Sequence, residues 1–219
     1  MRLLLGVKSC QRDLEKGCHE TIRRTWGRDV HDADLCFFIG RGTPTKSDEV
    51  SIDAPDDYDS LPQKTREILR WSLGRGYEFT FLCDTDTFLI PRTLMSCGFE
   101  SYDVAGKFCT GHPVGGLPFD YKDERGEYRG VYSWPSGGRG YFVSAKAARV
   151  IVDTEPHVWA EDMYVGQVIG PWVQGGVLKA VNLENFVGRI SWHYPRSHFV
   201  VDYLAGWMKV MQGLHGATK

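Results

Sequence analysis

The sequence lacks a long hydrophobic run. No stretch of about 18 or more apolar residues occurs among its 219 residues, and that is the length at which a transmembrane helix becomes a candidate. The apolar start, residues 1–7, is too short for a signal peptide or a membrane span and is typical of a buried first strand. We therefore expect a soluble protein with no membrane segment in this chain.

Excess charge, paired cysteines and repeats are missing as well. The 26 basic and 28 acidic residues leave a formal net charge of -2, so no strong field draws the protein onto nucleic acid or anionic lipid. The six cysteines show no CxxC spacing, which argues against structural zinc and a dense disulfide framework and favours a reducing compartment. Without repeats or a low-complexity tail, the chain has the size of one domain.

The first ninety residues contain an alternation of short apolar runs and helical patterns. The runs at residues 3–7, 35–39 and 79–83 are typical of buried strands. Residues 18–26 and 61–73 carry apolar side chains at helical spacing. Strands that alternate with helices form a mostly parallel sheet with crossover helices, so we expect an α/β fold.

The second half follows a different pattern. Residues 111–140 are rich in glycine, proline and aromatic residues and are typical of loops and short hairpin strands. Further on, the apolar spacing predicts helices at residues 145–152 and 161–169, a strand at 177–181 and a closing helix at 199–211. Loops often carry binding and catalytic residues, so we expect part of the site in the glycine-rich segment.

Two carboxylates follow the third predicted strand. Asp84 and Asp86 are two residues apart, and in extended chain residues i and i+2 project to the same side. The carboxyl ends of strands are where open α/β sheets bind ligands. Hard oxygen ligands of this kind suit Mn²⁺ or Mg²⁺ that is shared with phosphate oxygens. The pattern therefore predicts a metal site at Asp84 and Asp86, although a DxD triplet on its own also occurs in ordinary turns.

The same residues allow a second chemistry. Asp84-Thr85-Asp86-Thr87 resembles the first motif of haloacid-dehalogenase-type phosphatases, in which the first aspartate is a nucleophile that forms an aspartyl-phosphate. That family begins near its first strand, whereas a whole βαβ half precedes the motif here. No later acidic pair stands in that family's glycine-aspartate context. The phosphatase stays the alternative from a different class.

Six segments in a fixed order are similar to those of one enzyme family. In chain order they are residues 7–9 with 21–27, 58–65, 84–86, 106–107 with 113–114, 132–141 and 161–166. Residues 22–27, in the first segment, carry an I-R-x-x-W-G pattern, and the last segment, which reads EDMYVG, is close to E-D-V-Y-V-G. The series resembles the β1,3-glycosyltransferase and Fringe-type family, whose fold is the GT-A type.

The resemblance implies a GT-A fold, a single Rossmann-like domain with a central, mostly parallel sheet over residues 1–219. Residues 1–90 would form the nucleotide-binding half and residues 91–219 the acceptor-binding half. The implied reaction is metal-dependent, inverting transfer of a sugar from a UDP-sugar donor to a hydroxyl of a glycan or glycoprotein acceptor. Mn²⁺, or Mg²⁺ in its place, would be the metal.

The resemblance also implies roles for individual carboxylates. In an inverting transfer, one carboxylate deprotonates the acceptor hydroxyl as it attacks the anomeric carbon. Asp162 matches the family's base, and Glu161 is the second choice. Asp86 would bind the metal directly, and Asp84 would bind the donor's ribose or the metal through a water molecule.

The remaining implied contacts are spread along the chain. A late histidine would complete the metal ligands, since neutral imidazole suits Mn²⁺, and His193 is favoured over His198. Arg23 and Lys64 lie where the resemblance puts nucleotide and diphosphate contacts, and the glycines of residues 137–140 would let the backbone approach the sugars closely. The expected contacts to the nucleotide sugar are Asp84, Asp86, Arg23, Lys64, Gly138 and Gly140.

Partners and compartment follow from the same interpretation. The expected partners are a nucleotide-sugar donor and a carbohydrate or glycoconjugate acceptor. A variant would keep the donor chemistry and transfer the sugar to a hydroxymethylated base in DNA, which the balanced charge disfavours. A cytoplasmic protein of viral or bacterial type is expected, or a Golgi luminal one if the sequence is trimmed from a longer chain.

Overall fold

The computed structural model describes residues 1–109, 134–183, 191–193 and 203–217, with the backbone alone at 191–193 and 203–209. Eleven strands lie in these residues: β1 (Leu3–Lys8), β2 (Asp34–Ile39), β3 (Glu49–Ser51), β4 (Phe79–Asp84), β5 (Thr87–Leu89), β6 (Val104–Gly106), β7 (Phe108–Cys109), β8 (Trp134–Pro135), β9 (Tyr141–Ser144), β10 (Ala180–Asn182) and β11 (Ser191–His193). Seven α-helices accompany them: α1 (Gln11–Glu15), α2 (Cys18–Arg24), α3 (Leu61–Gly74), α4 (Pro91–Met95), α5 (Ala145–Val152), α6 (Glu161–Gln174) and α7 (Tyr203–Ala217).

Seven of the strands form one sheet, in the order β10-β6-β9-β4-β1-β2-β3. β1 runs parallel to both β2 and β4, β2 to β3, and β6 to β10. Among the described strands of this sheet, only β9 is antiparallel to its neighbours, β4 and β6. β11 pairs with β5, and β7 pairs with β8, in two small antiparallel sheets. The α/β fold with a central, mostly parallel sheet that the sequence predicts is therefore confirmed.

Apolar cores cover both faces of the sheet. Successive side chains of a strand point to opposite faces, so Leu4 of β1 joins Ile68 of α3 and Tyr164 of α6 in one core. Leu5, the next residue, belongs to the core on the other face, together with Ile22 of α2. All five side chains are fully buried. Burial of an aliphatic side chain of this size is worth about 1.5–3 kcal/mol, so the two cores hold the sheet firmly beneath the edge where its strands end.

The carboxyl edge of the sheet brings together residues that are far apart in the chain. The parallel register of β1 and β4 sets Lys8 opposite Asp84. β9 runs the other way, so its first residue, Tyr141, lies at the same edge, one residue beyond the 3₁₀ turn Gly137–Arg139. α6 also starts there, because its first residue, Glu161, contacts the end of β1.

The strand predicted at residues 177–181 is present but begins three residues later, because β10 covers Ala180–Asn182. The backbone N–H groups of Val177 and Leu178 donate instead to the carbonyl O of Trp172, at 2.9 and 3.0 Å. These bonds satisfy a carbonyl at the end of α6 that has no partner inside the helix. An apolar pair that looks like the start of a strand therefore completes the end of a helix.

Two predicted helix ends also differ from the structure. The helix predicted at 161–169 continues to Gln174 and contains Pro171. Proline inside a helix removes one hydrogen bond and crowds the residue before it, but that residue is Gly170, which has no Cβ to crowd. The helix predicted at 18–26 ends as an α-helix at Arg24 and is followed by a 3₁₀ turn, Trp26–Asp29.

Several expectations concern parts of the chain that are described only in part. Residues 111–133 of the predicted loop segment and residues 199–202 of the predicted closing helix lie outside the described residues. None of the helices in the described ranges is long and apolar enough to cross a membrane. All six cysteines lie within the described residues and are free.

Candidate active site

A buried ionic cluster occupies the carboxyl edge of the sheet. The Lys8 amine at the end of β1 lies 3.3 Å from Asp84 Oδ1 and 3.0 Å from Glu161 Oε2. Burial alone would lower the pKa of Lys8, but the two carboxylates outweigh it and hold that pKa above its usual value. One protonated amine therefore ties the strand that carries the DxD triplet to the helix that carries the second acidic pair.

Glu161 is fixed through both of its carboxylate oxygens. Oε1 accepts hydrogen bonds from Thr65 Oγ1 of α3, at 3.1 Å, and from the Tyr141 hydroxyl of β9, while Oε2 contacts the Lys8 amine. Gly137 packs so closely that a Cβ there would collide with Glu161 Oε2. A carboxylate with this many partners is held in one position, which suits a positioning role more than proton transfer.

Asp162, the next residue of α6, has a different environment. Its Oδ1 accepts a hydrogen bond from the backbone N–H of Met163 at 2.9 Å. Burial, followed by the nearby charge of Glu161, raises the pKa of Asp162 to about 6, while Lys8 and the backbone N–H groups of Met163 and Gly137 act in the opposite direction. Such a carboxylate is a stronger base than an ordinary aspartate and is still mostly deprotonated at pH 7. These properties suit a general base.

The DxD triplet spans the last residue of β4 and the tight turn to β5, and Asp86 is buried in that turn. Thr85 Oγ1 donates to Asp13 Oδ2 of α1 at 2.8 Å. Thr87 Oγ1 donates to the carbonyl O of Gly138 at 3.0 Å. These two hydroxyls anchor the turn to α1 on one side and to the glycine turn on the other, so both aspartates are presented from a fixed segment.

The described part of the chain brings few possible metal ligands together. Within the described residues, no group of three or more His, Cys, Asp or Glu side chains could hold a metal ion. Asp84 and Asp86 offer two carboxylates, the hard ligands that Mn²⁺ and Mg²⁺ prefer. The backbone of β11 sets His193 opposite Thr87, the residue after Asp86, and His198 lies outside the described residues. This donor set fits an ion that the phosphate oxygens of a ligand help to hold.

A cleft of about 410 Å³ opens beside the ionic cluster. Its walls are formed by the ends of β1 and β4, by α1 and by the loop before α3, and its volume lies in the range of small-molecule sites. The residues that line it are Lys8, Ser9, Cys10, Arg12, Asp13, Asp56, Asp57, Tyr58, Leu61, Lys64, Asp84 and Thr85. A ligand in this cleft would therefore contact both Lys8 and Asp84.

Lys64 lies in the wall of the cleft, but its amine is already engaged. The buried amine donates to the carbonyl O of Ser9 at 2.5 Å and to Asp56 Oδ1 at 2.9 Å. Asp56 also accepts hydrogen bonds from the backbone N–H groups of Gln11 and Gly40. Burial alone would raise the pKa of Asp56. The two backbone hydrogen bonds and Lys64 outweigh burial and lower that pKa below its usual value. Lys64 thus joins α3 to the end of β1 and holds the cleft wall together.

Arg23, which the resemblance assigns to the nucleotide, does not line the cleft. Its guanidinium on α2 binds both carboxylate oxygens of Asp48, at 2.6 and 2.8 Å, and Glu49 Oε1 at 2.7 Å. Its guanidinium also lies 4.8 Å from the centre of the Phe37 ring. The structure therefore places Arg23 in a separate ionic cluster behind the wall.

A buried relay connects the Arg23 cluster to the cleft. Glu49 Oε1 lies 3.1 Å from His19 Nδ1, and His19 Nε2 lies 2.6 Å from Ser9 Oγ. Burial lowers the pKa of His19, against the effect of Glu49, so the ring is neutral and donates its Nδ1–H to Glu49. Nε2 then accepts the proton of the Ser9 hydroxyl, which leaves Ser9 Oγ as an acceptor at the cleft wall.

The glycines of the turn before β9 serve the packing of the site. Gly140 has a φ of +82°, and a Cβ there would collide with the Phe81 ring and lie 2.9 Å from the carbonyl O of Leu82. Gly138 accepts the hydrogen bond from Thr87 through its carbonyl O. Both glycines thus fix the turn against β4 and β5, and their contact with a sugar stays a prediction.

Lys8, Thr65 and Tyr141 all hold Glu161, a role that sequence reasoning assigns to none of them, although each lies in one of the six segments similar to the family. Lys8 is the last residue of a strand that is buried throughout, an unusual place for a lysine, and this is the signal that could identify it. Thr65 and Tyr141 carry no such signal, because hydroxyl side chains are common in helices and strands. Only the fold shows that they share a partner.

Comparisons with known proteins add evidence about the fold. No protein-family model matches the sequence, and no curated protein matches it at the sequence level. Among solved structures, the chain is similar to a glycosyltransferase involved in the glycosylation of the major capsid of PBCV-1, with a TM-score of 0.51 and 10% sequence identity. The similarity covers 97% of this chain and 98% of that one. The two chains therefore share a fold over nearly their whole lengths.

Proposed function

We propose that the protein is a metal-dependent glycosyltransferase that moves a sugar from a UDP-sugar to a hydroxyl of a glycan or glycoprotein, with inversion at the anomeric carbon. The observation that carries this proposal is the ionic cluster at the carboxyl edge of the sheet. There Lys8 joins Asp84 of the DxD triplet to Glu161, and Asp162 follows with its raised pKa. A fold shared with a glycosyltransferase supports the same interpretation.

The donor nucleotide would occupy the cleft beside Asp84. This cleft lies where β1 and β4 end, and open α/β sheets bind nucleotides at that edge. Arg12 lines it with a largely exposed side chain that pairs with Asp13 Oδ1 at 3.2 Å, and a guanidinium has further N–H groups that can bind phosphate oxygens. Ser9 Oγ, held as an acceptor by the His19 relay, suits an N–H or O–H group of the nucleoside.

Asp162 would accept the proton of the acceptor hydroxyl while that oxygen attacks the anomeric carbon. A pKa of about 6 leaves Asp162 mostly deprotonated at pH 7 and still basic enough to take the proton. Glu161 and Lys8 hold the two acidic segments in a fixed relation to each other. When bound at Asp84 and Asp86, Mn²⁺ or Mg²⁺ supplies positive charge that stabilises the departing diphosphate.

Calorimetric titration with UDP, with and without Mn²⁺, tests the donor site. We expect the parent to bind UDP in a Mn²⁺-dependent way, and Asp86→Ala to lose that dependence because it removes a carboxylate ligand. Asp86→Asn keeps the shape of the buried side chain and should show the same loss without affecting the fold. Asp53→Ala is the matched control, because Asp53 is exposed and pairs with Arg41 away from the cleft, at 2.9 Å.

UDP binding that is equally strong without metal, or unchanged in both Asp86 variants, would contradict a metal site at the DxD turn. Thermal unfolding of each variant, measured alongside, separates loss of binding from loss of the fold, since a ligand that binds only the native state raises the unfolding temperature.

A further inference from the structure

Two exposed aromatic rings lie where the cleft meets a second groove. Tyr58 is 54% exposed and Trp159 is 47% exposed, and their ring centroids are 6.3 Å apart with 43° between the ring planes. Tyr58 lines the cleft, and Trp159 lines the groove. Exposed apolar surface that is rimmed by polar groups marks binding sites, so this pair is a candidate for one.

The groove beside Trp159 measures about 480 Å³ and is mainly polar. It lies between the start of α3 and the segment that joins α5 to α6. Its hydrogen-bonding groups come from Asp59, Ser60, Gln63, Arg66, Glu155 and His157. A ligand that suits both parts has an apolar face for the rings and many hydroxyls for the groove, which is the chemistry of a sugar chain.

The segment that carries Trp159 is held in place by side chains on the neighbouring helices. Arg66 of α3 binds both carboxylate oxygens of Glu155, at 2.6 and 2.7 Å. His157 Nε2 lies 2.8 Å from Gln167 Oε1 of α6. A site that is already ordered loses less entropy on binding than one that must fold around its ligand.

The aromatic pair also lies close to the proposed base. Trp159 precedes Asp162 by three residues, and three residues of chain span at most about 11 Å. Tyr58, at the wall of the cleft, lies on the donor side of the pair. The pair therefore lies beside the cleft and within about 11 Å of chain from Asp162.

We propose that Tyr58 and Trp159 form the platform that binds the acceptor, and that the acceptor is a neutral oligosaccharide. A sugar unit stacks its C–H face on Trp159, and its hydroxyls bind the polar groups of the groove. Arg66 is neutralised by Glu155, and Asp59 adds negative charge, so sialylated or sulfated chains are disfavoured. That the bound glycan is the acceptor of the reaction rests on the proposed function, whereas glycan binding itself rests on the rings and the groove alone.

An extended peptide is the other class of ligand to consider. Peptides of this kind use a free strand edge or a series of apolar pockets. The groove is formed by a helix start and a loop, and most of its lining groups are polar. These features favour the glycan over an unglycosylated peptide.

Calorimetric titration with lactose, N-acetyllactosamine and chitotriose, without donor or metal, tests the platform. We expect at least one of these glycans to bind the parent, and Trp159→Ala to weaken that binding by about tenfold or more. Trp159→Phe should retain most of it, because an aromatic face remains. Trp172→Ala is the matched control, since Trp172 is 44% exposed but lies near the end of α6, outside the groove.

The inference is wrong if none of the three glycans binds, if Trp159→Ala binds them as the parent does, or if a serine-rich peptide binds in their place. Its failure is distinguishable from that of the proposed function. Glycan binding that depends on Trp159, in a protein that consumes no UDP-sugar, would support the platform and contradict the transferase. In an active enzyme, Trp159→Ala should raise the acceptor KM and leave the UDP-sugar KM unchanged, and the reverse pattern would contradict the platform alone.

Discussion

Replacement of Asp162 by asparagine separates the chemical role of this carboxylate from its effect on stability. In the folded protein, burial and the charge of Glu161 raise the pKa of Asp162 from 3.8 to about 6. The folded protein thus binds this proton more tightly than the unfolded chain does. Proton binding at Asp162 therefore stabilises the folded protein, and this stabilisation is complete below about pH 4. It is lost as the pH rises through about 6. At pH 8 the carboxylate is charged, and its burial destabilises the fold.

The magnitude follows from the size of the shift. About two pKa units correspond to a cost on the order of 3 kcal/mol at pH 8 and about half of that at pH 5. Asparagine has nearly the same shape, keeps an oxygen that can accept the N–H of Met163, and does not ionise. Asp162→Asn should therefore be more stable than the parent, by an amount that falls by about half between pH 8 and pH 5. Sugar transfer should fall by about two to four orders of magnitude.

Urea unfolding at pH 5 and pH 8 measures the free energy of unfolding, and UDP release measures transfer. Asp153→Asn, at an exposed aspartate just after α5, is the control and should show neither effect. A variant at Asp162 that is less stable than the parent at pH 8, or whose advantage grows towards pH 5, would refute the argument from burial. A fully active variant would remove Asp162 as the base and leave Glu161 as the candidate.

Three further substitutions test the cluster, the glycine turn and the metal site. Lys8→Met should lower the free energy of unfolding by about 3–5 kcal/mol, because it removes the amine that binds Asp84 and Glu161. A loss below about 1 kcal/mol, measured by urea unfolding, would mean that the ionic cluster contributes little to stability. Gly140→Ala should lower the free energy of unfolding by about 1–3 kcal/mol, because a φ of +82° is strained for any residue other than glycine. Gly74→Ala is the control and should cause no loss, since a Cβ at Gly74 meets open space. Equal unfolding midpoints for the two variants would refute this reasoning. His193→Ala should raise the Mn²⁺ concentration that activity requires, and His198→Ala should not, because β11 sets His193 beside the DxD turn; identical Mn²⁺ titrations would remove His193 as a ligand.

The elements beside the site are the ones that the sequence predicts best. The helix at residues 145–152 and the start of α6 match the structure, while the strands predicted at 3–7 and 79–83 each stop one residue early. The residues left out of the two predicted strands are Lys8 and Asp84, because a charged residue after an apolar run is typical of the start of a loop. They stay in the sheet because the parallel register sets them opposite each other as an ion pair, and a sequence pattern does not show register.

The candidate site divides in the same way into local and distant features. Asp84 and Asp86 could be proposed because a strand and a DxD triplet are neighbours in the sequence, and Glu161 with Asp162 because the stretch EDMYVG resembles a motif of one enzyme family. Which residues join the two motifs depends on packing across the sheet. Arg23 shows the difference: an arginine on a helix has the same pattern whether it binds a phosphate or, as here, Asp48 and Glu49.

The central claim is that the protein moves a sugar from a UDP-sugar, and UDP release tests it most directly. The protein is incubated with UDP-glucose, UDP-galactose or UDP-N-acetylglucosamine, Mn²⁺ and a neutral glycan, and free UDP is measured over time. We predict release from at least one donor, its loss on chelation of the metal, and a fall of about two to four orders of magnitude in Asp162→Asn. No release from any UDP-sugar, together with Asp84-dependent hydrolysis of p-nitrophenyl phosphate, would contradict the transferase and support the phosphatase.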